Sequence, residues 1–365
     1  MGTHHLATAE IDAEQQFLDK LIDENKESVL GKYVADEFGT LPYLLKVLDV
    51  RDMLSIQVHP TKKEAEESFK KENEAGVSIS APHRNYKDDN HKPELVAALG
   101  DFWLLHGFKP KNKMIAVLNS VPELQSLLPV FEKESYEGLY RFVMELPQDK
   151  VNEMLQPLLD RIVPLYKENK IAKDQEDFWA ARAALTFNKG TDIDRGIFSV
   201  YLFNLVHLKK GEALFQDAGL PHAYLEGQNV EIMTNSDNVL RGGLTNKHID
   251  VPELLKHVDS EETVPDILSG RLNNRYETVF KTPVPEFQLS NISLYKGENF
   301  LFTSRTGEIL ILVEGAARFI AGEEKIKLNS GEAVFIAAGA EVEIQSTGKT
   351  LIYRASVPVP DVANN

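Results

Sequence analysis

Within "LLKVLDVRDMLSIQVHPTKKEAEESF" (residues 45–70), Leu54, Ile56 and Val58 alternate with Ser55, Gln57 and His59. Strict alternation predicts a β-strand with one apolar and one polar face, and places Gln57 and His59 side by side, within reach of one ion. The polar face has two readings, a wetted exterior or the lining of a polar pocket, and this stretch does not choose between them. The following "TKKEAEESFKKENEAG" reads as a solvated surface helix. Before the strand region, which runs from about Leu41 to Pro60, residues 7–30 carry Ile11, Phe17, Leu18, Leu21 and Ile22 at helical spacing. "NHKPELVAALGDFWLLHGF" predicts further strands between Pro and Gly breakers.

The pattern changes at about residue 111. Leu124, Leu127, Leu128 and Phe131 recur at helical intervals, and Ser120 stands three residues before Glu123 with Pro122 between them, a helix-start signal. "DQEDFWAARAAL" continues the helical pattern, so roughly 111–190 reads as a helical insert. From about Gly196 onward the chain is strand-like again, with short apolar runs and regular glycines, as in a sandwich or jelly-roll barrel. "KKGEALFQDAGLPHAYLEG" and "NSGEAVFIAAGAEVEIQSTG" look like two copies of one unit, of which only the first carries Pro-His after its turn. Two barrels follow from this, one of them armed.

Composition narrows the chemistry. The 365 residues are 42% hydrophobic, enough for two or three structural units. The net charge of −16 argues against nucleic acid or an anionic membrane as the main partner, so a phosphorylated ligand needs a local cluster of Lys and Arg. With no cysteine there is no disulfide, thiolate metal site or Cys nucleophile, and any metal must be held by His, carboxylates or amides. No apolar run has transmembrane length and no signal peptide is visible, so a cytoplasmic chain is expected.

Three segments concentrate polar side chains in strand context. The first is Ser55, Gln57 and His59; the second is "YKDDNHKPEL", with Asn90, His91, Lys92 and Glu94. The third, "PHAYLEGQNVEIMTNSDNVLRGGLTNK", places His222 and Tyr224 on one strand face, sets Glu231 between Val230 and Ile232, and continues to Asp237, Arg241 and Lys247. His59, Glu94 and His222 supply two imidazoles and a carboxylate, a ligand set suited to Zn²⁺, Fe²⁺ or Mn²⁺, with the Gln57 amide oxygen as a fourth ligand. Read one at a time, each histidine is an ordinary hydrogen-bonded residue and Arg241 and Lys247 are surface charges. "GGLTNK" is not a Walker loop, since its glycine spacing is wrong and no Ser or Thr follows the Lys.

Together "LSIQVHP", "YKDDNHKPE" and the third segment resemble the signature segments of type I mannose-6-phosphate isomerase, a zinc enzyme family of the cupin superfamily. The resemblance covers most of the chain, in the family's order. It implies a mainly β fold with a helical insert: two cupin-type jelly-roll barrels plus an α-helical domain. The implied domains are 1–110 and 196–285 for the catalytic cupin, 111–195 for the insert and 286–365 for a C-terminal cupin-like barrel without metal ligands. The family's zinc ligands fall on Gln57, His59, Glu94 and His222, and its phosphosugar-pocket residues on Ser55, Lys92, Glu231, Asp237, Arg241 and Lys247, with Tyr224 nearby. The implied reaction interconverts mannose 6-phosphate and fructose 6-phosphate through a cis-enediolate. Asp237, Glu231 and Lys92 are the candidates for its general base, and Arg241 and Lys247 suit phosphate or enediolate charge.

Where the family usually reads Arg-Ala-Gly and Thr-Pro-Lys, this chain has Arg241-Gly242-Gly243 and Thr245-Asn246-Lys247, and Thr234 replaces the usual Ala. The glycine predicts a more flexible loop. "MGTHH" resembles a segment that in family members follows the first strands, so a sheet edge is expected to be missing and to permit self-association of an otherwise monomeric chain. Two other classes use the same residues: an iron cupin oxygenase with His59, Glu94 and His222 as a facial triad, and a non-catalytic sugar-phosphate sensor.

Overall fold

The computed structural model describes residues 1–4, 7–11 and 16–360. The first β unit holds eight strands: β1 Tyr43–Val50, β2 Ile56–Val58, β3 Glu94–Ala98, β4 Phe102–Phe108, β5 Phe203–Leu208, β6 Ala213–Gln216, β7 His222–Thr234 and β8 Leu240–Gly243. Strand β7 is the hub. Its second half pairs antiparallel with β1 and β3 and its first half with β4 and β2, while β6 lies outside β3, β8 outside β2 and β5 beside β4. A long strand serves two sets of partners only by bending, and the register shifts between Tyr224 and Glu226. At the bend Gly227 has φ +120°, and a Cβ there would lie 2.4 Å from the Asp101 carbonyl oxygen, so no side chain fits.

The helical insert covers one face of this sheet. It comprises α-helices at Lys111–Ser120, Leu128–Glu145, Gln148–Lys167 and Glu176–Phe187, with a 3₁₀ turn at Pro122–Leu127. Their apolar stripes (Leu118, Leu124, Phe131, Leu139, Leu155, Trp179) share one core with Ile56 and Val58 of β2. The apolar face of β2 is thus taken by the insert, which turns Gln57 to the opposite side. Three expectations need correction here. Ser120 ends a helix instead of starting one, its hydroxyl donating back to the Val117 carbonyl, and the 3₁₀ turn begins at Pro122. Gly196–Leu202 is a helix, not a strand, and all seven of its residues are buried. Surrounded by apolar neighbours, a short uniformly apolar run carries no period that separates helix from strand. At the N-terminus, residues 7–8, 10–11 and 16–17 form two-residue strands, and the helix begins at Leu18 with only Leu18 and Ile22 buried.

Residues 62–74 form the expected solvated helix, with a capping box in which Thr61 accepts from the Glu64 N–H and Glu64 accepts from the Thr61 N–H. The C-terminal unit is a sandwich: a six-stranded sheet containing Gln288–Leu294, Thr350–Ser356 and Glu308–Glu314 faces a four-stranded sheet containing Asn299–Thr303 and Glu341–Ser346 across Ile292, Leu310, Phe319 and Ile344. Helix and strand together build the chain in comparable measure, so the architecture is mixed where the sequence predicts mainly β. The two repeat copies adopt the same turns: Gly211 and Gly331 have φ +88° and +91°, Gly219 and Gly339 +77° and +79°. In each, the glutamate accepts from the backbone N–H three residues earlier, Glu212 from Lys209 and Glu332 from Asn329.

The outer face of the six-stranded sheet packs on the first unit, joining Leu45, Val230 and Ile232 to Phe280, Leu289, Ile309 and Tyr353 in one core. Within it the fully buried Tyr43 hydroxyl lies 2.9 Å from the Ala355 carbonyl and 3.1 Å from that of Gly307. Tyr43→Phe leaves these oxygens in an apolar interface without their donor, so the variant should lose about 1–3 kcal/mol in urea unfolding. An unchanged midpoint would show that this bond adds nothing to the interface.

Candidate metal centre

Strand pairing assembles the polar segments. His222, the first residue of β7, sits opposite Gln57 of β2, and Glu94, the first residue of β3, sits opposite Met233 near the other end of the bent β7. His59 follows β2 directly and is held before Pro60. His59, Glu94 and His222 are all buried, and their ligand atoms lie within 4.8 Å of one another. His59 Nε2 is 3.5 Å from Glu94 Oε1, and His222 Nε2 is 3.4 Å from Glu94 Oε2.

The proton positions follow from the partners. His59 Nδ1 is 2.8 Å from the Asn238 carbonyl oxygen and His222 Nδ1 is 2.9 Å from that of Leu220. A carbonyl only accepts, so Nδ1 donates in each ring and Nε2 turns its lone pair toward Glu94. Burial, reinforced by Lys92, lowers the His59 pKa to about 4, keeping that ring neutral. Burial opposes ionisation of Glu94, yet the charge of Lys92 holds its carboxyl well below the usual range. With Nδ1 the donor in each ring, two imidazole Nε2 atoms and a carboxylate face one another, and buried His59 Nε2 has no hydrogen-bond partner. Three acceptors in a dry site repel unless a cation stands between them, so the donor set fits a divalent metal.

Beside the triad lies a cavity of about 160 Å³ lined by Gln57, Lys92, Glu94, His222, Tyr224 and Glu231, with Lys46, Leu48 and Leu54. Lys92 Nζ is 3.1 Å from Glu94 Oε1. The Tyr224 hydroxyl stands 3.1 Å from Glu94 Oε2 and 2.9 Å from Glu231 Oε1, and burial together with these carboxylates raises its pKa well above the ordinary value, so it keeps its proton. Lys46 Nζ completes the row 3.1 Å from Glu231 Oε2.

Besides His59, four predicted residues stand outside that lining. Ser55 is half-buried just before β2, and Lys247 is exposed in the loop after β8. Arg241 on β8 is the other cross-strand partner of Gln57, and among the described residues no carboxylate pairs with it. Asp237 Oδ2 lies 3.1 Å from His4 Nε2. His91 points away from the site, to Glu286 of the C-terminal unit at 2.7 Å.

The loop substitutions also have packing reasons. A Cβ on Gly242 would come within 2.7 Å of the Tyr140 hydroxyl, so the residue is a tight contact under the helical insert and not a free hinge. The Thr234 hydroxyl donates to the His91 carbonyl at 2.6 Å, tying the third segment to the second.

Sequence reasoning missed Lys46, Lys87 and His106. Lys46 left a signal, since it interrupts the row Leu44, Leu48 on one face of β1. Lys87 is close enough to Arg241 and Asp237 for both to act on its charge, and burial sets the net direction, a lowered pKa. His106 faces His222 across β4 and β7 and gives its Nδ1 proton to Gln216 Oε1 at 2.8 Å.

Fold and site define a mixed α/β chain whose sheets carry a buried metal-binding cradle beside a lysine-bearing polar cavity. Residues 1–111 match the family description "Phosphomannose isomerase type I, catalytic domain". Mannose-6-phosphate isomerase of Escherichia coli (strain K12) is 35% identical over 361 residues, covering 96% of this chain and 88% of the relative. The Homo sapiens enzyme is 34% identical over 388 residues, covering 97% and 87%. A crystal structure of mannose 6-phosphate isomerase bound with zinc and yttrium superposes with TM-score 0.86 at 34% identity, covering 98% of this chain and 90% of that one. The Salmonella typhimurium enzyme bound to its substrate fructose 6-phosphate and zinc also gives 0.86, at 33% identity with the same coverages. The chain belongs to the mannose-6-phosphate isomerase family.

The buried histidines make the metal-free protein sensitive to acid. Burial lowers His106, like His59, to about 4, whereas unfolded histidine titrates near 6.5. As pH falls below about 6.5 the unfolded chain takes up protons that the folded chain refuses, and stability drops until the folded pKa is reached. For His106 alone that difference amounts to about 3 kcal/mol. Chelator-treated protein should therefore lose urea midpoint steadily from pH 6.5 to 4, and His106→Gln should flatten the slope by about one proton. Equal slopes in the two proteins would show that His106 is protonated in the fold.

Proposed function

We propose that this chain is a zinc-dependent aldose–ketose isomerase that interconverts mannose 6-phosphate and fructose 6-phosphate. The observation that carries this reading is the lone-pair convergence of His59, Glu94 and His222, with the unpartnered His59 Nε2, beside a cavity furnished with Lys92, Glu231 and Tyr224. Gln57, opposite His222 on the adjacent strand, is the fourth ligand of the reading. Zinc, when bound, supplies positive charge where the sugar's O1 and O2 become negative.

The remaining chemistry belongs to the side chains. Moving hydrogen between C1 and C2 through a cis-enediolate needs a group that takes the proton from one carbon and returns it to the other on one face of the sugar. Of the three candidates, Lys92 and Glu231 line the cavity, whereas Asp237 stands outside it against His4. Lys92 and Glu231 are therefore assigned the proton transfers, with Tyr224 and Lys46 fixing the Glu231 carboxylate. Asp237 is assigned to the mouth of the site. Arg241, without a carboxylate of its own, is the cation for enediolate or phosphate charge, with Ser55 and Lys247 as further substrate contacts.

In this reading the catalytic unit is a cupin barrel drawn from 1–110 and 196–285, the insert spans 111–195, and 286–365 is a second cupin-like barrel. The matching glycine turns of the two repeat copies support the duplication. The chain acts as a cytoplasmic monomer. Its lack of cysteine suits a reducing compartment, and no helix among the described residues is long and apolar enough to cross a membrane.

A coupled isomerase assay on metal-stripped protein tests the reading, with turnover expected to return on adding Zn²⁺. Sugar-phosphate binding without turnover would favour the sensor, and activity restored by Fe²⁺ under oxygen with consumption of O₂ would favour the oxygenase. His222→Ala should lose both metal and turnover, and stoichiometric zinc in that variant would sink the ligand set. Arg241→Ala should cut kcat several hundredfold, about 3–4 kcal/mol, a far larger effect than any change in its melting curve. Retained turnover would return Arg241 to an ordinary surface charge.

A further inference from the structure

The segments that flank the metal cradle have no sheet ladder of their own. Residues 84–93 and 235–239 run as bends and irregular backbone, yet His59 depends on the direction of one carbonyl in the second of them, that of Asn238. What holds that carbonyl is a set of side-chain bonds between the two segments.

Asn238 is fully buried and its amide is fully used. Oδ1 accepts from the Lys87 N–H at 2.7 Å and the Asp88 N–H at 3.3 Å, while Nδ2 donates to the carbonyl oxygens of Asp88 and Asn90, each at 2.8 Å. Asp88 answers from the other side. Its Oδ1 accepts from the Ser236 hydroxyl at 2.8 Å and its Oδ2 from the Asp237 N–H at 2.8 Å. The Asn90 amide then donates to the Asn235 carbonyl at 3.1 Å. The Asn238 site needs donors and an acceptor on one short planar group, which Asn supplies and Asp or Leu does not.

We infer that Asn238 is a positioning residue for the metal centre: clasped through its side chain by Lys87, Asp88 and Asn90, it aims its own carbonyl at His59 Nδ1 and so fixes the tautomer and tilt of that ligand. The same clasp sets the backbone of Asp237 and the approach of the chain to Lys92 and Glu94. The inference rests on the zinc reading of the cradle, and it concerns how strongly the cradle binds, not which reaction follows. Partners that orient a ligating histidine typically change metal affinity by about 10–100-fold when lost.

The test uses the full chain, stripped of metal and reloaded. Asn238→Ala should weaken zinc affinity, measured by competition with a chromophoric chelator, by about 10–100-fold. The visible absorption of the Co²⁺-loaded protein should change, and excess zinc should restore much of the lost turnover, which it would not do for a merely misfolded chain. Unaltered zinc affinity and Co²⁺ spectrum in a folded Asn238→Ala would overturn the inference. Should that variant fail to fold, Ser236→Ala removes one bond from the clasp. It should weaken zinc binding severalfold, and equal affinity there would overturn the inference too. If the starting protein itself binds no zinc, the cradle reading falls instead.

Discussion

Three buried groups, two imidazole nitrogens and a carboxylate, are made to face one another, and most of the architecture exists to hold them so. Left alone, Nε2 of His59, Nε2 of His222 and the Glu94 carboxylate would separate or draw in water or a proton. The rings cannot reverse, because each Nδ1–H is committed to a backbone carbonyl. The strands cannot part readily, because His222 and Glu94 sit on β7 and β3 within ladders that continue into two cores. Lys92 supplies the compensating charge at the edge of the group, holding Glu94 ionised and adding to the burial that keeps His59 neutral. Preorganisation of this kind is what a tightly held cation requires of its ligands.

The C-terminal unit shows the same scaffold without that demand. It repeats the glycine turns and the glutamate–backbone bond of the first unit, but its buried charges satisfy one another. Arg354 gives Nε and Nη2 to the two oxygens of Glu308 and Nη1 to Glu277, which also accepts from Ser290 and Asn273. A cavity of about 380 Å³ borders this network, more than twice the volume beside the metal cradle, yet the network turns no unpaired lone pair toward it. Cavity size therefore does not distinguish the two units. Polar balance does, since the charged groups of the C-terminal network pair with one another, whereas beside the first cavity the buried His59 Nε2 is left without a donor.

What could be read from sequence divides along the same line. The alternation at Leu54–His59 places Gln57 and His59 on one face, and the structure explains its use: the helical insert takes Ile56 and Val58, leaving Gln57 to the cavity and His59 to the metal cradle. Glu94 was legible as a carboxylate opening an apolar strand, and His59 and His222 as imidazoles in strand segments of unusual polar density. That they converge was not legible from spacing, because convergence depends on the bend of β7, which is written in Gly227 and its approach to Asp101 and not in any periodicity. Gly196–Leu202 was misread for the complementary reason, being buried on every side and so without a face to reveal its period. Lys87 carried no signal of its own among the charges of its segment, and only the fold sets it near Arg241.

The overall charge makes the placement of the cations informative. A chain of net charge −16 presents an unfavourable field to a sugar phosphate, so attraction has to be generated locally. Lys46 and Lys92 lie in the cavity wall, while Lys87 and Arg241 stand near one another beyond it. The inner pair is already engaged, Lys46 with Glu231 and Lys92 with Glu94. Among the described residues Arg241 has no carboxylate partner, and burial alone lowers its pKa, the signature of a cation partly withdrawn from water. Keeping such a group half-desolvated costs stability. That cost is offset when an anion arrives, which separates the lysines that shape the site from Arg241, a cation that among the described residues is left available to a ligand.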